Sequence, residues 1–179
     1  RELYPMVAEL AKLAARQNIN FTLDAEEADR LVLSLSLLER LAREPGLARW
    51  TGLGLAVQAY QKRGEAVVGW LGDLAKTTDR RLMVRLVKGA YWDSEVKRAQ
   101  MDGQPDYPVF TTKQATDVSY LACADALLKT GPSVYPQFAT HNAHSLASID
   151  LMAKRAGRAD YEFQRLHGMG VALYKAAGR

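Results

Sequence analysis

A group of side chains suited to an anionic, planar ligand follows a short apolar run in the middle of the chain. Residues 82–87 are apolar except for Arg85, and the run is too short for a buried helix, so it predicts a strand covered on both faces. The next residues add a second cation, a glycine that lets a ligand approach the backbone, and two aromatic rings: Lys88, Gly89, Tyr91 and Trp92. Alternatively, the arginine pairs with a structural carboxylate and the two rings only begin the packing of the next helix.

Polar residues end the other apolar runs as well. Asp24 ends the first run, Gln58 ends the second, and a Thr-His-Asn triplet at 140–142 follows the fourth. Because ligands of parallel α/β folds bind at the carboxyl ends of the strands, we expect these side chains to share one site. The triplet at 111–113, Thr-Thr-Lys, offers hydroxyls and an amine that suit a phosphate or a ribose, although an N-terminal helix cap explains the threonines too.

The three histidines allow a second kind of site. His141 and His144 are spaced by three and, with Asp24, would imitate a carboxylate–imidazole metal site. No HExxH or similar spacing supports a metal, and Thr140 and Asn142 are equally suited to hydrogen-bonding a phosphate at a helix start. We therefore favour an anion and keep a metal-dependent enzyme as the alternative.

The composition is ordinary for a globular domain and favours some classes of binding partner over others. Of 179 residues, 48% are hydrophobic and 25% are charged. No apolar run approaches the roughly 20 residues that span a bilayer. The net charge of +4 is scattered among acids, so we expect a small anionic ligand and no nucleic acid. Cys123, the single cysteine, allows no internal disulfide, and its apolar neighbours predict a packing role.

The elements that must position these side chains alternate between strands and helices. Periodicity and end signals predict strands at 18–23, 51–58, 82–87, 134–140 and 161–166. They predict helices at 2–17, 25–41, 61–77, 92–100, 117–130 and 145–156, with an irregular excursion at 101–113 and a short final helix after 167–170. Asp117 is expected to cap the fifth of these helices. The alternation implies a parallel sheet with right-handed crossovers.

The even spread of polar residues over all the strand ends favours a β/α barrel. A doubly wound sheet would concentrate its chemistry at one switch point. A closed barrel needs eight β/α units, whereas this chain supplies about five and opens on a helix with no strand before it. The expected fold class is α/β, a (β/α)8-type barrel in a truncated portion of about five β/α units that spans residues 1–179.

Long stretches at several strand ends carry a family resemblance. The chain reads LDAEEADR at 23–30, RLVKGAYWDSEVKRAQMDG at 85–103, YPQFATHNAH at 135–144 and YEFQRLHGMG at 161–170. These stretches closely resemble the proline dehydrogenase domain of the bifunctional proline utilisation A flavoenzymes, and the similarity runs through essentially the whole chain. The resemblance implies a distorted barrel that holds FAD and oxidises L-proline to Δ1-pyrroline-5-carboxylate by hydride transfer to flavin N5.

The family's site residues carry over from the resemblance. Arg85 corresponds to the arginine beside flavin N5, where a fixed positive charge favours the electron-rich reduced flavin. Tyr91 and Leu166 correspond to the wall against the proline ring, and Asp24 to the polar network, so Arg85, Tyr91 and Asp24 are the expected catalytic residues. The other cofactor contacts implied are Gln58 at the isoalloxazine edge, Val87, Lys88 and Gly89 in the loop, Trp92 near the adenine, Thr111, Lys113, Thr140, His141 and Asn142 at the ribose and pyrophosphate, and Gln164 and Leu166 near the cofactor.

The resemblance also implies partners beyond this chain. Electrons pass to membrane quinone, an aldehyde dehydrogenase domain belongs to the same longer chain, and the full-length protein is cytoplasmic with peripheral membrane association. The family binds the substrate carboxylate with two arginines on the last barrel helix and has an active-site lysine in its first strands, and we expect both regions to lie outside this chain. The alternatives are a metal-dependent barrel enzyme that uses Asp24, His141 and His144, and a non-catalytic barrel fragment.

Overall fold

The computed structural model describes residues 2–178, and its centre is a parallel sheet of five strands. The strands lie in the sheet in chain order, and each neighbouring pair is parallel. They are β1 (Phe21–Leu23), β2 (Leu53–Gln58), β3 (Leu82–Val87), β4 (Val134–Ala139) and β5 (Glu162–Gln164). An order without reversal contains no switch point of the doubly wound kind.

Helices begin the described chain and fill the connections between its strands. The α-helices are α1 (Leu3–Arg16), α2 (Leu31–Ala42), α3 (Gly64–Thr77), α4 (Trp92–Met101), α5 (Lys113–Lys129), α6 (Ala143–Arg155) and α7 (Val171–Ala176). Short 3-10 turns flank α2 at Ala28–Arg30 and Pro45–Leu47. The predicted α/β class and its strand–helix alternation are confirmed.

The core lies between the sheet and the helices that cover it. Every side chain of β2 is buried. One face of α3 packs on this core, because Val67, Val68 and Leu71 are buried in the core cluster. Cys123 of α5 is fully buried in the same cluster, as its apolar neighbours predict. Among the described helices, none has the length and hydropathy that a membrane crossing needs.

β3 lacks the predicted cover on both faces. Its side chains alternate between buried and half-buried along the strand, in the order Leu82, Met83, Val84, Arg85, Leu86 and Val87. Successive side chains of a strand point to opposite faces, so the half-buried set shares one face of the sheet. Arg85 therefore stands on the more open face, where a charge keeps some contact with water. The prediction of two covered faces is wrong for the described structure.

The starts of α2 and α5 differ most from the predicted ones. α2 begins at Leu31 and not at residue 25, because tertiary hydrogen bonds hold the preceding backbone out of a helix: Gln58 binds the carbonyl of Glu26 and Glu95 binds the N–H of Ala28. α5 begins earlier than predicted, at Lys113. Its cap is Thr112, whose hydroxyl accepts from the N–H of Ala115 at 3.3 Å. Asp117 lies inside the helix and does not cap it.

Candidate functional site

The carboxyl ends of the strands surround a cavity of about 800 Å³, here called the sheet-end cavity. Residues at the end of each strand reach it, from Asp24 after β1 to Gln164 at the end of β5. Parallel strands bring their carboxyl ends to one edge, which is why residues far apart in sequence meet here. The predicted site residues that line this cavity are Asp24, Gln58, Arg85, Val87, Lys88, Gly89, Tyr91, Thr140, His141, Asn142, Gln164 and Leu166.

A second cavity of about 380 Å³, here called the α5 cavity, adjoins the first. Lys88 and Gly89 line both. The remaining predicted site residues, Trp92, Thr111 and Lys113, line the α5 cavity. The predicted flavin-site residues therefore all lie in the wall of one of two adjoining spaces at the carboxyl edge of the sheet, whereas His144 of the metal alternative lines neither.

Arg85 supplies a positive charge to the wall of the sheet-end cavity. Its Nη2 donates a hydrogen bond to Oδ1 of Asp24 at 2.9 Å, and the side chains are 30% and 76% exposed. An ion pair with so exposed a carboxylate stabilises little and is screened by water. The pair therefore orients the guanidinium without removing its attraction for an anionic or electron-rich ligand.

Gln58 joins two loops beneath the same cavity. The side chain is only 4% exposed. Its Nε2 donates to the carbonyl of Glu26 at 2.8 Å, and its Oε1 accepts from the N–H of Ala90 at 3.0 Å. The amide thus links the loop after β1 to the loop after β3. One side-chain N–H is left over from these two bonds for a ligand.

Gly89 has a backbone that only glycine fits at this point. Its φ of +143° lies in the region that side chains rarely adopt, and a Cβ there would stand 2.4 Å from the ring of Tyr60. Tyr60 is buried beneath the loop, and its hydroxyl has no hydrogen-bond partner among the described residues. Burial and the nearby carboxylate of Glu95 raise the pKa of Tyr60 to about 12. The hydroxyl therefore stays protonated at neutral pH.

The α5 cavity is biased toward anions. Lys88 and Lys113 both pair with the carboxylate of Asp117, the second at 2.5 Å. The hydrogen bond from Lys113, followed by that from Lys88, lowers the pKa of Asp117. Two cations against one anion leave a net positive charge beside the N-terminus of α5, where the helix dipole also favours negative groups. Trp92 stands at this cavity with its ring fixed, since Nε1 donates to the carbonyl of Phe110 at 2.9 Å.

In the region of the predicted histidine site, His141 and Asn142 accept hydrogen bonds from backbone N–H groups. Nε2 of His141 accepts from the N–H of Leu166 at 3.0 Å, which places the proton of the neutral ring on Nδ1. Asn142 caps α6 by accepting from the N–H of Ser145 at 2.9 Å. Over residues 2–178, no three His, Cys, Asp or Glu side chains come together as a metal site. The alternative built on Asp24, His141 and His144 therefore lacks its ligand set.

The similarity of this chain to known proteins identifies its family. A family model described as proline dehydrogenase matches residues 3–179. The chain belongs to the proline dehydrogenase family. Bifunctional protein PutA of Escherichia coli (strain K12) is 58% identical over 175 residues, which are 97% of this chain and 13% of that protein. Bifunctional protein PutA of Rhizobium meliloti is 55% identical over 175 residues, 97% of this chain and 14% of that protein.

Solved structures agree with this proline dehydrogenase assignment. A crystal structure of a mutant proline utilization A from Bradyrhizobium japonicum superposes with a TM-score of 0.95 at 54% identity, over 99% of this chain and 18% of that one. Proline utilization A from Bdellovibrio bacteriovorus, inactivated by N-propargylglycine, superposes with a TM-score of 0.94 at 32% identity, over 98% of this chain and 18% of that one. The chain spans a small part of the bifunctional relatives that it resembles.

Several residues of the candidate site could not be identified from the sequence alone. Glu26 accepts from the hydroxyl of Tyr91 at 3.2 Å, and Tyr60 supports Gly89 from below. No local pattern distinguishes these residues, because their partners lie far away in the chain. Asp117 has one signal, the spacing of four from Lys113 on a helix face, which indicates an ion pair but not the third partner, Lys88.

Proposed function

We propose that this chain supplies the flavin-binding and much of the proline-binding surface of an FAD-dependent proline dehydrogenase. The reaction is the oxidation of L-proline to Δ1-pyrroline-5-carboxylate. The observation that carries the proposal is the arrangement of charge: Arg85, oriented by Asp24, faces the larger cavity together with Lys88 and Arg165, and an anion-attracting helix start adjoins it. Membership of a flavin-dependent family supports the same cofactor.

The two adjoining cavities together suit FAD. The sheet-end cavity offers an apolar and cationic wall for a planar ring system and, at Thr140, His141 and Asn142, polar groups for a ribose and a pyrophosphate. The α5 cavity adds two lysines, hydroxyls and an aromatic ring for the pyrophosphate and the adenosine. The missing side chain at Gly89 leaves backbone accessible where the cavities meet. The residues proposed to hold FAD are Gln58, Arg85, Val87, Lys88, Gly89, Trp92, Thr111, Lys113, Thr140, His141, Asn142, Gln164 and Leu166.

When bound, FAD would accept a hydride from the proline ring carbon next to the amine. Arg85 would stabilise the negative charge that this transfer delivers, since a fixed cation in a cavity acts more strongly than one in water. Asp24 would keep the guanidinium aimed across the cavity. Tyr91 and Leu166 would exclude water and align the substrate ring, which such a transfer needs more than a strong acid or base.

We further propose that the sheet is part of a (β/α)8 barrel and that this chain forms about five of its units within a longer protein. The unreversed strand order supports this topology, since crossovers of the usual right-handed kind between parallel strands in this order would place the helices on one face. Relatives that contain this segment as 13% or 14% of their length support a larger bifunctional chain. By family analogy, an aldehyde dehydrogenase domain, a quinone acceptor and a cytoplasmic location at the membrane surface belong to that whole protein.

The test is the visible absorption spectrum of the full protein before and after anaerobic addition of L-proline, with D-proline as the control. Flavin bands that bleach with the L isomer support both cofactor and substrate. Flavin bands that persist after addition of L-proline would support a flavin cofactor and contradict L-proline as the substrate. An absence of flavin bands, even after incubation with FAD, contradicts the proposal.

A further inference from the structure

The loop that follows β1, residues 24–28, carries two carboxylates that bind side chains of the sheet-end cavity. Asp24 binds Arg85 at 2.9 Å, and Glu26 accepts from the hydroxyl of Tyr91 at 3.2 Å. Both partners stand on β3 or directly after it, so the placement of this loop decides how two proposed active-site side chains are held. The loop has no helical or strand hydrogen bonding of its own at 24–27. Something else must fix it.

Three side chains from other elements hold the loop: Gln58 and Glu95 are buried, and Arg63 is exposed. Gln58 donates to the carbonyl of Glu26 at 2.8 Å. Arg63 donates through Nη2 to the carbonyl of Ala28 at 2.8 Å. Glu95 accepts the N–H of Ala28 through Oε1 at 2.5 Å, although 67 residues separate the two. Ala28 is thus bound on both its N–H and its carbonyl by side chains from other elements.

Glu95 is the unusual member of this set. It is 4% exposed, and a carboxylate so deeply buried has a cost that an apolar residue of the same size would avoid. It lines neither cavity, so it does not contact a ligand. A charge-assisted hydrogen bond to an N–H at the start of a 3-10 turn is the interaction that compensates the burial. The charge of Glu95 also contributes to the raised pKa of the neighbouring Tyr60 hydroxyl.

Glu95 also connects the loop to the helix behind Tyr91. Its own N–H donates to the carbonyl of Tyr91 at 2.9 Å, as the first turn of α4 requires. The same turn of helix therefore sets Tyr91 directly and the loop 24–28 through Ala28. The two ends of the Glu26–Tyr91 hydrogen bond are fixed relative to each other by one buried residue, through its backbone N–H at Tyr91 and its carboxylate at Ala28.

We propose that Glu95 is a positioning residue for the proline dehydrogenase reaction, acting through the loop 24–28 on Asp24 and Glu26. The proposal rests on the function proposed above. Loss of the Glu95 carboxylate would leave the N–H of Ala28 without its partner, although Arg63 and Gln58 would still bind the loop. The loosened loop would let Asp24 leave Arg85, and the guanidinium would lose its orienting partner. Misplacement of a catalytic group by about 1 Å can cost on the order of 100-fold in rate, so the effect should exceed that of lost stability alone.

The experiment compares Glu95→Ala and Glu95→Gln with Ile149→Val in the full protein. Ile149 is fully buried in α6 and lines neither cavity, so its variant reports general destabilisation. Hydrogen exchange of the peptide that contains residues 24–31 is the readout independent of activity. We expect faster exchange there in Glu95→Ala only, with kcat/KM for L-proline lowered on the order of 10- to 100-fold. Glu95→Gln keeps an acceptor oxygen and should stay within about threefold of wild type.

A mutant cycle tests the route of the effect. In an Asp24→Ala/Glu26→Ala background, Glu95→Ala should cause no further loss of kcat/KM, because the side chains that it positions are gone. Full additivity, or unchanged exchange of residues 24–31 in Glu95→Ala, would overturn the positioning role. If Glu95→Ala does not fold, Glu95→Asp, one methylene shorter, should show the same changes to a smaller degree.

The outcome separates this inference from the function on which it rests. A wild-type protein that does not oxidise L-proline would contradict the proposed function, and the exchange data would then still judge whether Glu95 holds the loop. Normal wild-type turnover together with a Glu95→Ala variant that behaves like Ile149→Val would contradict the positioning role alone.

Discussion

Arg85 and Asp24 meet at the carboxyl edge of the sheet with 2.9 Å between Nη2 and Oδ1, although 61 residues separate them in the chain. The arginine comes from the middle of β3 and the aspartate from the end of β1, so β2 lies between them in the sheet. The exposed carboxylate holds the guanidinium in one direction without cancelling its charge. This pair is the most direct link between the fold and the proposed redox chemistry.

Replacing Arg85 should damage the flavin chemistry more than the fold. We expect Arg85→Met in the full protein to lower bound FAD or to slow anaerobic flavin reduction by L-proline on the order of 100-fold, because the oriented cation is lost. Arg81→Met is the matched control, since Arg81 precedes the same strand at its opposite end and pairs there with Asp160 at 3.3 Å. Equal flavin content and reduction rates in both variants would sink the assignment of Arg85.

Gly89 should tolerate no side chain. Gly89→Ala puts a methyl group 2.4 Å from the ring of Tyr60 and demands a φ of +143°, so the loop must shift. We expect loss of FAD binding and a destabilisation of about 1–3 kcal/mol, measured by flavin content and thermal unfolding. Gly69→Ala is the control, because a Cβ there meets nothing within 4 Å and a mid-helix alanine stabilises by roughly 0.5–1 kcal/mol. Normal flavin content in Gly89→Ala would contradict the close approach of the Gly89 backbone to the ring of Tyr60.

The pairing of Asp117 with two lysines should appear as an acid-dependent loss of stability. Its pKa is lowered from 3.8 by Lys113 and then by Lys88. A carboxyl with a depressed folded-state pKa stabilises the fold above its unfolded value, and this contribution disappears as pH falls through the folded value. The melting temperatures of wild type and Asp117→Asn should therefore differ near pH 6 and converge below about pH 4.

The effect should be modest, because the Asp117 side chain is about one third exposed at 34%. Asp125→Asn, in the same helix, changes a carboxylate that pairs with Lys129 alone and serves as the comparison. A constant difference between wild type and Asp117→Asn from pH 6 to pH 3 would mean that the charge of Asp117 is not the source of its contribution.

Cys123 should not react with thiol reagents in the folded protein. Its side chain is fully buried in α5, and burial raises the pKa of the thiol to about 11, so little thiolate forms at neutral pH. We expect a maleimide to label the Cys123 peptide at pH 7.5 only after denaturation, as followed by mass spectrometry. Rapid labelling of the native protein would place this thiol at a surface and contradict the packing.

The positions of helices and strands could be predicted from the sequence wherever a local pattern of residues determined them. The apolar run before Lys88 predicted β3, and the glycines and prolines after Met101 predicted the irregular excursion, because periodicity and backbone preference act over a few residues. The start of α2 was predicted wrongly at residue 25. The acids there favour a first helical turn, but hydrogen bonds from Gln58 and Glu95 hold this backbone in a loop.

Most residues of the candidate site could be predicted from sequence because they lie near the end of a strand, and parallel strands deliver their ends to one edge. Thr111 and Lys113 were predicted because their polar groups suit a phosphate or a ribose, and the family resemblance supplied the individual roles. The tertiary structure alone decided how these residues are held: that Asp24 orients Arg85, that Tyr60 lies under Gly89, and that Glu95 fixes Ala28. Each of these contacts joins residues from different elements. Their distances depend on how the whole sheet and its helices pack, and no local preference of the chain encodes that packing.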